Sequence, residues 1–184
     1  MNEGVDQAVI DDCVGNAHGN LARVQELIAL HPGIVNTRAT WNETPIEAAT
    51  QMGNRPILDF LIERGAPVDF FTACVLGNAN QVRAELEANP ARAADRGVHD
   101  LPALYFAAIG GQLEVAELLL AQGADVNARA EAAAPIHGAV IGRSAELVRW
   151  LLEHGADPEV PDHEGRSARA LAVAMKREDL AGLF

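Results

Sequence analysis

Residues 113–140 read "LEVAELLLAQGADVNARAEAAAPIHGAV" and decide the fold. The first run places Val115, Leu118 and Leu119 at helical spacing, which predicts an amphipathic helix. Gly123 follows in "QGAD", where a glycine in the left-handed conformation would end that helix. A polar connector then leads to a second run of small apolar residues. The stretch therefore predicts a helix, a loop that turns away and back, and the start of another helix.

The same organisation recurs along the chain. Turn-like pairs, each between two apolar runs, stand at Gly19-Asn20, Gly53-Asn54, Gly77-Asn78 and Gly111-Gln112, and the series continues without glycine at Arg143-Ser144 and Lys176-Arg177. The first residues of successive pairs lie 34, 24, 34, 32 and 33 residues apart. A nearly fixed spacing of this size is typical of repeat proteins. The short interval lies where Asp69 runs directly into Phe70, so a connector is missing there.

These segments are similar to the ankyrin repeat, whose unit runs through a threonine-proline-leucine-histidine tetrapeptide, paired alanines, a glycine-histidine turn, a leucine-rich second helix and a closing Gly-Ala-Asp. The resemblance covers nearly the whole chain. It implies an all-α solenoid of helix-turn-helix pairs with projecting hairpin loops, in a single domain over residues 1–184. The implied repeats, with degenerate first and last caps and no hairpin in the third, are approximately residues 6–39, 40–69, 70–96, 97–128, 129–160 and 161–184.

The fifth repeat alone keeps the histidine of the tetrapeptide, in Ala134-Pro135-Ile136-His137. The resemblance implies that His137 is structural and bonds backbone groups of the hairpin and helix start; a functional imidazole is the alternative. Ala132 stands where a hairpin glycine is expected. Ala134 lacks the hydroxyl that would cap the helix, a loss of about 1 kcal/mol. The hairpin before the fifth repeat is therefore predicted to be looser than its neighbours.

Charge and composition exclude several kinds of partner. The chain contains 26 acidic and 14 basic residues, a net charge of −12, which opposes binding to the phosphate backbone of nucleic acids. The opening "MNEGVDQAVIDD" lacks the basic and apolar regions of a secretion signal, and no run approaches the roughly 18 apolar residues of a membrane span. We expect an acidic cytoplasmic protein that binds neither nucleic acid nor membrane. Cys13 and Cys74 are expected to be buried thiols.

Catalytic and cofactor motifs do not stand out in the sequence, which has no glycine-rich phosphate loop, closely paired cysteines or Gly-x-Ser-x-Gly elbow. His99 and His163 map onto hairpin tips two layers apart. Stacked helix layers are about 8–10 Å apart, so these residues are not expected to share a metal ion. Glu43 and Glu47 are expected to form a solvated helix start. We therefore expect no enzyme activity, no cofactor and no metal site.

Two positions before each turn pair line the inner concave face in ankyrin repeats. Repeat by repeat, they are Ala17-His18, Gln51-Met52, Val75-Leu76, Ile109-Gly110, Ile141-Gly142 and Ala174-Met175. The column is mostly apolar, and its two glycines leave room for close approach. An exposed apolar strip marks a binding surface, but packing against hairpin stems or neighbouring helices explains the pattern equally well. Trp41, at a hairpin tip, favours binding because tryptophans commonly anchor interfaces.

The resemblance and these residues predict a non-catalytic protein-binding scaffold that uses the concave groove and the hairpin tips. The partner is expected to be a protein with a basic rim around an apolar anchor. The predicted contact residues are Trp41, Met52, Leu76, His99, Asp100, Tyr105, Ile109, Gly110, Ile141 and Gly142. The alternative is a small-molecule or atypical enzymatic site in a recess near repeats three to five. The two glycines would open that recess, with His99, Tyr105 or His137 as acid or base.

Overall fold

The computed structural model describes residues 4–131 and 133–184. The chain divides between Thr72 and Ala73 into two compact units. We call residues 4–72 the N-terminal unit and residues 73–184 the C-terminal unit, and each is described by itself. The single domain over residues 1–184 stays a prediction.

Both units are built from pairs of α-helices. The N-terminal unit contains α1 (Gln7–Asn16), α2 (Leu21–Leu30), α3 (Pro45–Gln51), α4 (Arg55–Glu63) and the first residues of α5 (Phe70–Leu76). The C-terminal unit contains the rest of α5, α6 (Ala79–Ala88), α7 (Ala103–Ile109), α8 (Leu113–Ala121), α9 (Pro135–Ile141), α10 (Ala145–Glu153), α11 (Ala168–Ala174) and α12 (Glu178–Ala181). Short 3-10 helices lie at Pro32–Asn36, Pro90–Ala94 and Val98–Asp100. Each of the six predicted repeats thus contains one helix pair. Over the described ranges, β pairing is confined to an isolated bridge between Arg96 and Pro102.

Side chains at several helix starts satisfy backbone N–H groups that have no partner within the helix. The oxygens of Asn20, Asn54 and Ser144 accept hydrogen bonds from the backbone N–H groups of Arg23, Ile57 and Leu147 at the starts of α2, α4 and α10. At the start of α3, Thr44 and Glu47 form a reciprocal capping box, with Pro45 in the first helical position. These caps help to fix where α2, α3, α4 and α10 begin.

In the second to the sixth repeat, the turns inside the helix pairs keep a left-handed residue even where glycine is absent. Gly53, Gly77 and Gly111 have φ angles of 61°, 76° and 70°, and Arg143 and Lys176 adopt 60° and 58° at the equivalent positions. The glycines that close the second helices are also left-handed, as predicted, at Gly65, Gly123 and Gly155. The turn geometry therefore persists in repeats whose sequence no longer favours it.

Replacing Arg143 with glycine is expected to raise the free energy of unfolding by up to about 1 kcal/mol. The left-handed conformation costs a side-chain-bearing residue about 1–2 kcal/mol, and the greater freedom of glycine in the unfolded chain offsets about 0.5–1 kcal/mol of that gain. Urea unfolding followed by circular dichroism measures the difference. Gly111→Arg is the converse control and should lower stability. A lower midpoint for Arg143→Gly than for the wild type would contradict the expectation.

The core of each unit consists mainly of aliphatic side chains and alanines, in agreement with a composition that is only 4% aromatic. In the N-terminal unit α1 packs on α3 and α2 packs on α4, with Leu58 and Leu61 fully buried. In the C-terminal unit α7 packs on α9 and α9 packs on α11, with Phe106 and Ile136 buried. Among the described residues, no helix combines the length and the apolarity needed to cross a membrane.

Cys13 and Cys74 are both buried thiols, as predicted. Burial, followed by the charge of Asp12, raises the pKa of the Cys13 thiol to about 11. Since the thiolate is the reactive form, Cys13 is protonated and inert at neutral pH.

Asparagine side chains link neighbouring repeats within each unit. In the N-terminal unit, Asn36 Nδ2 donates to the carbonyl of Gly65 at 3.2 Å. In the C-terminal unit, Asn127 Nδ2 donates to the carbonyl of Gly155 at 2.9 Å, and its Oδ1 accepts from the N–H of Asp157 at 2.8 Å. A connector of one repeat is thereby tied to the end of the second helix in the next.

Candidate functional site

The predicted contact residues differ in exposure. Trp41 and Met52 are exposed at 48% and 44%, and the tip residues His99 and Asp100 are exposed as well. Leu76, Gly110, Ile141 and Gly142 are half-buried. Tyr105 and Ile109 are buried, Ile109 at 4% exposure, and burial raises the pKa of the Tyr105 hydroxyl. The structure thus removes Tyr105 and Ile109 from the candidate surface, and packing within the protein explains the apolar residue that Ile109 contributes to the column.

Gly110 and Gly142 approach the backbone of the preceding repeat. A Cβ atom on Gly110 would overlap the carbonyl group of Val75, whose carbon lies 2.9 Å from that position, and one on Gly142 would lie 2.8 Å from the carbonyl carbon of Ile109. The room beside each glycine is therefore filled by the C-terminal unit itself. The predicted close approach occurs between repeats, and these glycines do not open the recess that the alternative hypothesis places there.

Trp41 lies on an ordered loop between α2 and α3 in the N-terminal unit. The N–H of Ala39 donates to the carbonyl of Glu43 at 2.8 Å and closes the loop. The carboxylate of Asp11, on α1, accepts from the N–H and the hydroxyl of Thr40 at 2.9 and 3.0 Å. The exposed indole therefore stands on a backbone that is fixed on both sides of it.

A buried carboxylate lies directly beneath Trp41. Glu43 is 3% exposed, and its two oxygens accept from Trp41 Nε1 at 2.9 Å and from Gln51 Nε2 at 2.8 Å. Gln51 Nε2 also lies 2.6 Å from His18 Nε2, and His18 Nδ1 lies 3.1 Å from the carbonyl of Gly15. His18 Nε2 also lies 3.6 Å from Glu43 Oε2, so the imidazole is part of the same set of contacts. We call His18, Trp41, Glu43 and Gln51 the Glu43 cluster.

The expectation of a solvated helix start is wrong for Glu43. Glu47 behaves as expected, because it caps α3 and pairs with Arg38. Glu43 instead precedes the cap and turns inward beneath the loop, where N–H donors replace the water that a carboxylate otherwise requires. The sequence signals for this cluster are Gln51 and His18, two polar residues in a mostly apolar column, because the Gln51 amide needs a partner when it is buried.

The predicted tip residues of the C-terminal unit line an open recess of about 750 Å³, together with Glu131 and His163. Arg96 joins two of the tips, since its Nη1 donates to the carbonyls of Asp100 at 2.8 Å and Arg129 at 3.0 Å. His99 and His163 therefore line the same recess. The spacing of the helix layers had not predicted that these two tips would border one recess. No group of three or more His, Cys, Asp or Glu side chains is arranged for a metal ion in the part of the chain that the structure describes.

Asp162 belongs to the loop framework beside this recess. Its carboxylate is buried, accepts from the N–H groups of Glu164 and Arg166, and pairs with the Arg166 guanidinium. Burial raises the pKa of Asp162, but the hydrogen bonds from Arg166 and Glu164 outweigh burial and lower it overall. Asp162 therefore holds the last hairpin tip in shape.

His137 is fully buried and supplies one half of a capping box at the start of α9, the half that satisfies the N-cap backbone; the half that Ala134 would need a hydroxyl to supply is absent. His137 Nδ1 accepts from the backbone N–H of Ala134 at 3.1 Å. On the other side of the ring, backbone groups of Arg166 and Val160 favour the protonated form, but among the described residues none meets the geometry of a full hydrogen bond with Nε2. His137 is thus inaccessible to a ligand from solvent. Ala132 lies outside the described residues, so the looser hairpin stays a prediction.

The burial of His137 gives a pH-dependent stability. Burial lowers the pKa of His137 and outweighs the opposing effects of the Arg166 backbone and the Asp162 charge. The unfolded chain, with a histidine pKa of about 6.5, then binds the proton more readily than the folded protein. The contribution of His137 to stability is therefore complete above about pH 6.5 and is lost as the pH falls toward the lowered folded-state value. We expect unfolding midpoints between pH 7 and pH 5 to fall more steeply for the wild type than for His137→Gln. Equal slopes would contradict the assignment.

Comparison with known proteins relates the repeats to a family. Residues 70–162 and 104–183 match the family described as "Ankyrin repeats (3 copies)". The chain is 35% identical over 130 residues to a putative ankyrin repeat-containing protein of Treponema pallidum. This aligned region covers 67% of this chain and 43% of that protein. It is 26% identical over 125 residues to a putative ankyrin repeat protein of Rickettsia felis, with coverages of 64% and 45%. It is 45% identical over 66 residues to Zygote-specific protein 3 of Chlamydomonas reinhardtii, with coverages of 36% and 17%. The chain spans less than half the length of each of these relatives.

The family match extends over more than half of the chain, and the helix pairs of both units agree with it. The predicted fold class, an all-α fold of ankyrin helix-turn-helix pairs, is confirmed. The chain belongs to the ankyrin repeat family.

Proposed function

We propose that this chain is a non-catalytic protein-binding module. Ankyrin repeats are in general protein-interaction modules. The observation that carries the proposal for this chain is Trp41, whose indole is half exposed although its loop and its ring nitrogen are held by hydrogen bonds. A large ring that is already ordered loses little conformational freedom on binding, which makes it an efficient anchor.

The candidate contacts form one set in each unit. In the N-terminal unit they are Trp41 and Met52. In the C-terminal unit they are the tip residues His99 and Asp100 and the half-buried inner-face residues Leu76, Gly110, Ile141 and Gly142. The net charge of −12 favours a protein partner with a basic rim around an apolar anchor and disfavours nucleic acid.

A small-molecule site is the second candidate, and the recess lined by His99, Asp100, Glu131 and His163 favours it. Of the three proposed acid or base groups, His99 alone faces solvent, because Tyr105 and His137 are buried. We therefore retain ligand binding at this recess as the second candidate and give catalysis no further role.

Affinity capture from the native host tests the protein-binding proposal. Trp41→Ala is compared with Leu30→Ala, since Leu30 is an apolar side chain on α2 in the same unit and is 66% exposed. We expect wild type and Leu30→Ala to retain the same partner. Trp41→Ala should weaken binding by about 30-fold or more, because truncating a tryptophan hot spot costs about 2 kcal/mol or more. An unchanged partner set in Trp41→Ala would contradict Trp41 as the anchor.

A further inference from the structure

The indole of Trp41 presents its ring, and not its N–H group, to a partner. The Nε1–H group is committed to Glu43 Oε2 at 2.9 Å, while about half of the side chain remains exposed. The exposed part therefore offers apolar edges and a π face. A group that binds there is either apolar or a cation, because the ring has no further polar atom.

The buried carboxylate favours the cation. Glu43 places its acceptor oxygen on the positive N–H edge of the indole, which strengthens the electron-rich character of the π faces of the ring. Cations bind over such a face within about 6 Å of the ring centroid. The N-terminal unit shows this geometry elsewhere, where the Arg64 guanidinium lies 4.7 Å from the centroid of Phe60.

The charges around the Trp41 loop also favour a cationic partner group. Asp11 flanks the loop through Thr40, and Glu43 lies beneath it. Arg38, the basic residue of the loop, is already engaged, since its two terminal nitrogens bond Glu47 at 3.0 Å and one also bonds the Asn42 carbonyl. Residues 4–72 contain nine carboxylates against four arginines and no lysine, so the surroundings attract a positive side chain.

We propose that Trp41, backed by the buried carboxylate of Glu43, is a binding site for an arginine side chain of the protein partner. The inference rests on the proposed function, because it names the partner chemistry of the same anchor. The planar guanidinium stacks on the indole while its charge is balanced by Glu43 and Asp11. Glu43 acts as a positioning residue: it fixes the ring and sets its electrostatic character without touching the partner.

A decapeptide of alternating glycine and arginine is the probe, and the same peptide with citrulline is its uncharged counterpart of equal shape. Calorimetric titration at 0.15 M salt compares the wild type with Trp41→Ala, Glu43→Gln and Leu30→Ala. We expect Trp41→Ala to weaken binding of the arginine peptide about two- to fivefold, the range for a cation over an exposed ring. Glu43→Gln should weaken it about twofold, and Leu30→Ala should leave it unchanged. The citrulline peptide should not distinguish wild type from Trp41→Ala.

Equal affinity of the arginine peptide for the wild type and Trp41→Ala would overturn the proposal, because attraction would then come from net charge alone. An equal loss for the citrulline peptide would overturn it as well, since the contact would then be apolar. The indole N–H resonance of Trp41, recorded in a Trp150→Phe background, shows whether Glu43→Gln keeps the ring in place. If it does and arginine binding is unchanged, the role of Glu43 is overturned.

The test is independent of the captured partner. Loss of the native partner in Trp41→Ala, combined with equal binding of arginine and citrulline peptides, would leave the proposed function standing and remove this inference. Discrimination between the two peptides without a captured partner would support the arginine site and count against the proposed function.

Discussion

Replacing Gly142 with alanine is expected to lower the free energy of unfolding by about 3 kcal/mol. The added methyl group would lie 2.8 Å from the carbonyl carbon of Ile109 in the preceding repeat. The neighbouring atom belongs to the backbone and cannot rotate away, so the two repeats must separate or shift, a cost in the range of an overpacked core. Gly142 has a φ of −68°, which alanine adopts without strain, and the overlap is therefore the whole cause. Urea unfolding monitored by circular dichroism gives the change.

Gly15→Ala is the matched control for this substitution. Gly15 lies inside α1, and a methyl group there meets no atom within 4 Å. Alanine in an open helical position stabilises by up to about 1 kcal/mol relative to glycine. The two identical changes are thus expected to have opposite signs. A similar small effect at both positions would show that the repeats are not packed backbone to backbone at Gly142.

Replacing Glu43 with alanine is expected to cost about 2–3 kcal/mol of stability. The change removes the acceptor of two N–H groups, Trp41 Nε1 and Gln51 Nε2, and an unsatisfied buried donor costs about 1–3 kcal/mol. Water can reach the indole side, which keeps the total below the sum of two fully buried losses. Thermal and urea unfolding measure the effect, and a decrease in Trp41 fluorescence anisotropy should accompany it in a Trp150→Phe background.

Glu26→Ala is the control for the loss of a carboxylate. Glu26 lies on α2 in the same unit, is mostly exposed and pairs with Arg23 at the surface, so its removal is expected to change stability by less than about 1 kcal/mol. If Glu43→Ala were as mild as Glu26→Ala, the hydrogen bonds of the Glu43 cluster would contribute nothing to the fold.

The repeat fold was predictable because its signals are local and recur. The turn glycines, the apolar runs and the closing Gly-Ala-Asp each act within a few residues. Their regular spacing predicted even the turns at Arg143 and Lys176, where glycine is absent. The left-handed backbone at both residues shows that packing of the flanking helices maintains a turn that local preference disfavours.

The candidate site was less predictable because exposure depends on neighbouring repeats. Ile109 was predicted to lie on the inner face and Tyr105 to contact a partner, yet packing within the protein buries both. Gly110 and Gly142 were predicted to leave space for a partner, whereas the backbone of the preceding repeat fills that space. Glu43 was predicted to be a surface carboxylate, and only the fold shows that the side chains of Trp41 and Gln51 donate hydrogen bonds to it.

The left-handed turn at Lys176 also allows local unfolding of the last helix pair to be measured by proteolysis. Lys176 is the only lysine among the 184 residues and lies between α11 and α12. A lysine-specific protease needs several residues in an extended conformation around the cleaved bond, and the compact turn denies that conformation while both helices are formed. Cleavage after Lys176 therefore proceeds through local unfolding, and its rate under native conditions measures how often the final repeat detaches from the rest of the C-terminal unit.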